Sequence, residues 1–193
     1  MVLSSAGRLL GVLRRLRSSL NAAALSAFYL AYIRPKIEYA DTAWSNMPGY
    51  LADRLERFQR KAARIVLGLP MFTPINHTDL LTAVGWPTLT SRRKLHLAQL
   101  AHALHHRTAP QHILTTAFPT RHHHYPLRHQ AIFDLPIPHT SLFRDSPLFL
   151  CSAVYNSLPQ DVCNLKTPLA FRKSAAELLL TSSCTCSSHP PGH

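Results

Sequence analysis

The stretch YLADRLERFQRKAARIVLGLP, residues 50–70, places Leu51, Leu55, Phe58, Ala62, Ile65 and Leu69 at steps of three and four. That spacing follows the 3.6-residue helical turn and not the two-residue alternation of a strand. Gly68 and Pro70 then stop the helix, one by favouring a left-handed cap and the other by lacking an N–H. The same period recurs along much of the chain. Residues 4 to 18 carry a stripe of Leu9, Val12, Leu13 and Leu16. A second helix is expected from an Asn21 N-cap to Ile33, with Pro35 kinking it or starting a new one. Residues 35 to 45 are expected to continue helically to Trp44, and Pro48-Gly49 reads as a turn. A further helix is expected in TSRRKLHLAQLAHALHHR, capped by Thr90 or Ser91, with Leu97, Leu100, Ala101 and Leu104 on its core face. A mostly α fold is therefore predicted.

Three parts are expected along the chain. Residues 1–70 form one helical segment. Residues 71–180 form a smaller helical unit with a Pro- and His-rich middle. Residues 181–193 are a Ser/Cys/Pro-rich tail expected to be disordered. Short alternations at Ala131–Leu135 and Ser141–Phe143, separated by Pro136 and Pro138, add a possible short β-hairpin. With 193 residues and 46% hydrophobic side chains, the chain has enough apolar material for a true core. No apolar run reaches the length of a membrane span.

Charge indicates a partner. Lys and Arg number 21 against nine acids, a net charge of +12, which favours a polyanion and most simply nucleic acid. On the 50–70 helix, Arg54, Arg57, Lys61 and Arg64 fall within roughly 80° of one another at 100° per residue, about a quarter-turn from the apolar face. Such a row can track a phosphate backbone, or it can be a solvated face. Arg92, Arg93 and Lys94 cluster in a helical first turn, where cations oppose the helix dipole and a phosphate would relieve them. Arg14, Arg15 and Arg17 lie off the apolar stripe of the first helix.

Catalytic signals are weak. Asp41 sits in a Tyr-Ala-Asp run like the one at polymerase metal sites, but Thr42 follows it where a second acid is needed. It is expected to be a helix-face acid near Arg34 and Lys36. There is no G-x-S-x-G elbow and no phosphate-cradling P-loop. The tail residues Cys184, Cys186, His189 and His193 are too tightly spaced for the usual zinc finger, as is the RHHHYPLRH run at 121–129 for any Cys₂His₂ pattern. No metal and no cofactor is expected. Disulfides are not expected either, so a reducing compartment is the default. The acid-free, Arg- and Ser-rich opening also resembles a mitochondrial transit peptide.

Four stretches in order resemble one family, the reverse transcriptases of non-LTR (LINE-type) retrotransposons. FYLAYIRPKIEYADTAW is similar to a thumb segment that follows the catalytic palm. LERFQRKAARIVLGLP is similar to the helix after it, and LLTAVGWPTLTSRRKLHLAQLAHALHHRTAPQHI to the next, with its paired Arg. AVYNSLPQDVCNLKTPLAFRKSAAELL is similar to the closing segment, with Tyr155 where the family usually has Trp. The likeness covers roughly residues 8 to 180. It implies a helical thumb-like bundle and places Asp41 outside the palm's metal-binding pair. It implies a C-terminal fragment that is not an enzyme, because the catalytic Asp residues of the family precede this region. The implied role is contact with RNA or an RNA–DNA duplex, with Arg54, Arg57, Lys61, Arg64, Arg92, Arg93 and Lys94 on phosphates and Arg14, Arg15 and Arg17 behind them. The resemblance also assigns the basic opening to a family helix rather than to targeting. Nucleus or cytoplasm is then the expected location, with the mitochondrion a minor alternative. The alternative function is a structural or protein-interaction fragment that docks on a reverse transcriptase palm or a host partner. In both readings Tyr155, Leu158 and Pro159 are packing and turn residues.

Overall fold

A computed structural model describes residues 2–70, 73–114, 119 and 132–181. The chain is mostly α, with eleven α-helices and one π-helical turn among the described residues. Contacts divide it between Arg93 and Lys94. The division expected at 70/71 therefore moves downstream, because Leu80, Leu81, Trp86 and Leu89 bury with the first core.

The first unit contains α1 (Val2–Leu16), α2 (Ala22–Phe28), a π-helical turn (Tyr29–Ile33), α3 (Arg34–Glu38), α4 (Gly49–Leu67), α5 (His77–Val84) and the start of α6 (Leu89–His105). Asn21 caps α2 as expected, its side chain accepting from the Ala24 N–H at 2.8 Å. The Pro35 kink takes a specific form. Proline cannot donate to the carbonyl four residues back, and the Arg34 N–H reaches the Tyr29 carbonyl, five residues back. The helix then ends at Glu38 and does not run on to Trp44. Ala40 takes φ 53°, and residues 39–46 form turns. Asp41 lies in those turns with only 4% exposure, so it is not the helix-face acid expected.

Leu13, Leu25, Tyr29, Ile33, Ile37, Ala62 and Trp86 form the centre of this core. Tyr29 and Trp86 stack with ring centroids 3.9 Å apart, and the Trp86 indole N–H donates to Ser26 at 3.1 Å. Val12, expected on the apolar stripe of α1, is 38% exposed. At the end of α4, Gly68 sits at φ 71° while the Leu69 N–H returns to the Arg64 carbonyl at 3.0 Å. Gly85 closes α5 in the same way, with Trp86 donating to Leu81. Both are left-handed glycine caps that satisfy the last helical carbonyls.

The second unit contains the rest of α6, α7 (Gln111–Leu114), α8 (Ser141–Arg144), α9 (Pro147–Asn156), α10 (Gln160–Cys163) and α11 (Pro168–Thr181). Its core gathers Leu97, Ala101 and Leu104 of α6 with Phe133, Cys151, Tyr155, Leu158, Phe171 and Ala175. Leu100, expected on the same face, is only partly buried. The Tyr155 hydroxyl donates to the Cys163 carbonyl at 3.1 Å. Asn156 holds Phe133 by accepting from its N–H and donating to its carbonyl, each at 3.0 Å.

The hairpin does not form among the described residues. Its expected second arm, Ser141–Phe143, is the helical turn α8, because Thr140 caps it by accepting from the Phe143 N–H at 3.2 Å. Ser146 and Pro147 then start α9 at once. The 121–129 histidine run and the 182–193 tail lie outside the described residues. No described helix is long and apolar enough to cross a membrane.

Candidate nucleic-acid interface

The first unit sorts its predicted cations into two groups. The buried stripe of α4 is Leu55, Gln59, Ala62, Ala63 and Val66. This is rotated from the face read off the sequence, because Gln59 turns inward and donates to the Pro87 carbonyl at 3.0 Å. At 100° per residue the Arg54–Arg57–Lys61–Arg64 row then faces about 160° away from the stripe's centre, not a quarter-turn. Arg54, Arg57 and Lys61 are exposed and Arg64 is half-buried.

Arg14 and Arg17 of the α1 end meet Lys61 and Arg64 of α4 around one cleft of about 400 Å³. Its remaining walls are apolar, with Leu10, Ile65, Leu69 and Pro70 beside Gly11. Among the described residues no carboxylate lines it. Arg17 donates to the Gly68 carbonyl at 2.7 Å, and Arg64 donates to the Pro70 and Thr73 carbonyls, each at 2.9 Å. Neutral acceptors fix these two guanidinium groups without cancelling their charge. None of the four cations forms an ion pair with a carboxylate among the described residues.

The cluster at the start of α6 is different. Its cap is Thr88, not Thr90 or Ser91, with the Ser91 N–H donating to the Thr88 hydroxyl at 3.1 Å. The anion expected at this helix end is the protein's own Glu56, which accepts from the Thr90 N–H at 2.9 Å and the Thr90 hydroxyl at 3.1 Å. Arg92 forms a two-pronged ion pair with Glu38, one arm at 2.9 Å, with side-chain exposures of 12% and 13%. Arg93 is 8% exposed and donates to Thr90 at 3.1 Å. Burial lowers the pKa of its guanidinium, while Glu56 and Asp41 partly offset that effect. Arg92 and Arg93 are thus internal, and phosphate contact by them is withdrawn. Arg15 is exposed but does not line the cleft, and Lys94 is exposed in the second unit.

Sequence reasoning missed Gly11 and the apolar floor. The available signal was a glycine in a helix interior, where it costs about 1 kcal/mol relative to alanine. The described residues contain no group of three or more His, Cys, Asp or Glu able to hold a metal ion. Compared with protein-family models, curated proteins and solved structures, the chain matches none.

Proposed function

We propose that this chain contacts nucleic acid without catalysis, as a piece related to the thumb and post-thumb region of a LINE-type reverse transcriptase. The observation that carries this reading is the convergence of Arg14, Arg17, Lys61 and Arg64 on one cleft that no carboxylate lines among the described residues. Exposed Arg54 and Arg57 continue the same row along α4. Such a surface suits phosphate contacts that are independent of base sequence and sensitive to salt. The ligand is RNA or an RNA–DNA duplex.

The test titrates the 193-residue chain onto a fluorescent RNA–DNA primer-template at several salt concentrations. Arg14, Arg54, Arg57 and Lys61 changed together to alanine should lower the log–log salt slope by about three to four. Identical binding by that variant would sink the reading. A second reading, docking onto a polymerase palm or another protein, is favoured by Tyr32, Tyr39 and Tyr50, which are 59%, 76% and 67% exposed. Tyrosine is enriched at protein interfaces. That reading gains if no nucleic acid binds.

A further inference from the structure

The cleft between α1 and α4 is more than a charged surface, because half of its lining is apolar. A duplex presents phosphates and sugars outward and keeps its bases stacked inside. It could use the cations, but no base could reach Leu10, Ile65 and Leu69. An unpaired nucleotide presents both a phosphate and an exposed base face. The volume of about 400 Å³ falls in the range of small-ligand pockets.

Gly11 provides an independent observation. It lies inside α1, its φ is not in the left-handed region, and a Cβ added there would meet no atom within 4 Å. Neither backbone conformation nor close packing therefore calls for glycine. The space in front of it is the cleft itself, so the missing side chain is what keeps that wall open. Across the cleft, Gly68 has a different basis. Its φ of 71° calls for glycine, the Arg17 guanidinium lies 3.1 Å from a would-be Cβ, and its carbonyl anchors that guanidinium.

We propose that this cleft is a pocket for one unpaired nucleotide, with Arg14 and Lys61 on its phosphate and its base over the aliphatic floor beside Gly11. The proposal rests on the nucleic-acid reading above and adds a preference for single-stranded ends or gaps over blunt duplex. Arg17 and Arg64, held by backbone carbonyls, shape the charged wall in advance, so these two side chains need little ordering on binding.

The experiment compares the full chain on a blunt RNA–DNA duplex and on the same duplex with a short single-stranded overhang. The wild type should favour the overhang by about tenfold, the scale of one buried base face. Gly11→Phe fills the cleft and should abolish the preference, so that the overhang binds no better than the blunt duplex. Gly11→Leu provides a second, smaller filler if Gly11→Phe lowers the melting temperature. Arg54→Ala with Arg57→Ala should weaken both ligands equally. A preference that survives both fillers, or no preference in the wild type, overturns the pocket and leaves the nucleic-acid reading standing. If neither ligand binds, both fall. Dodecanoate that binds the wild type but not Gly11→Phe, without competing with the overhang, would overturn the proposal in favour of a fatty-acid site.

Discussion

The two units differ in the ionisable side chains they bury, although each also buries a neutral tyrosine, Tyr29 in the first and Tyr155 in the second. The first buries some of its charges, as in Arg93 and the Arg92–Glu38 pair, and leaves others on the surface around the cleft. The second buries groups that remain neutral. His102 is 2% exposed, stacks on Phe171 and donates from Nε2 to the Leu165 carbonyl at 2.6 Å. Burial pushes the Cys151 and Cys163 thiols up to about 11 and raises the Tyr155 hydroxyl further. A buried charge needs a partner, whereas a buried neutral group needs only a hydrogen bond. The difference leaves cations exposed around one cleft in the first unit, while the core of the second buries neutral groups.

The sharpest way to break this comparison is Glu38→Gln, which strands the Arg92 guanidinium in a largely buried site. The cost should be about 3 kcal/mol. Both tryptophans, Trp44 and Trp86, lie in the first unit, so urea unfolding followed by their fluorescence reads that unit directly. An unchanged midpoint would mean that the ion pair is not holding the fold. Tyr155→Phe should cost less, about 1–2 kcal/mol, by leaving the Cys163 carbonyl without its donor. Its readout is faster alkylation of Cys151 and Cys163, measured residue by residue with mass spectrometry, while tryptophan fluorescence stays unchanged.

Gly11→Ala acts in the other direction. It should raise first-unit stability by about 0.5–1 kcal/mol, because the helix gains propensity and nothing clashes. A loss of stability would show that the glycine serves packing after all. The gentlest effect is that of pH. Burial lowers the His102 and His105 pKa values from 6.5, and neighbouring His106 lowers both further, while the Leu165 carbonyl partly opposes the shift at His102. The folded second unit therefore binds fewer protons than the unfolded chain. Its stability is intact well above pH 6.5 and falls as pH drops through that value. Circular dichroism melts from pH 7.5 to 5 should show this loss, with the tryptophan-monitored transition of the first unit moving less.

Much of the helical layout was legible in local patterns. The Asn21 cap, the Gly68 stop and the Pro35 irregularity follow from residues within a turn of each other. The site was legible only in part. Arg14, Arg17, Lys61 and Arg64 were named from two separate helices, but nothing local showed that they share a cleft. Arg92 and Arg93 looked equally available, and α8 looked like a strand arm until Thr140 capped it.

What the sequence determined by itself was helical character, the start of α2, the end of α4 and an excess of positive charge, because these depend on propensity, spacing and counting. Which cations remain available was decided only by the tertiary structure. Arg92 meets Glu38 across 54 residues of chain, and Arg17 meets the Gly68 carbonyl across 51. A charge is neutralised or left exposed by whatever folds beside it, and those neighbours come from distant parts of the chain.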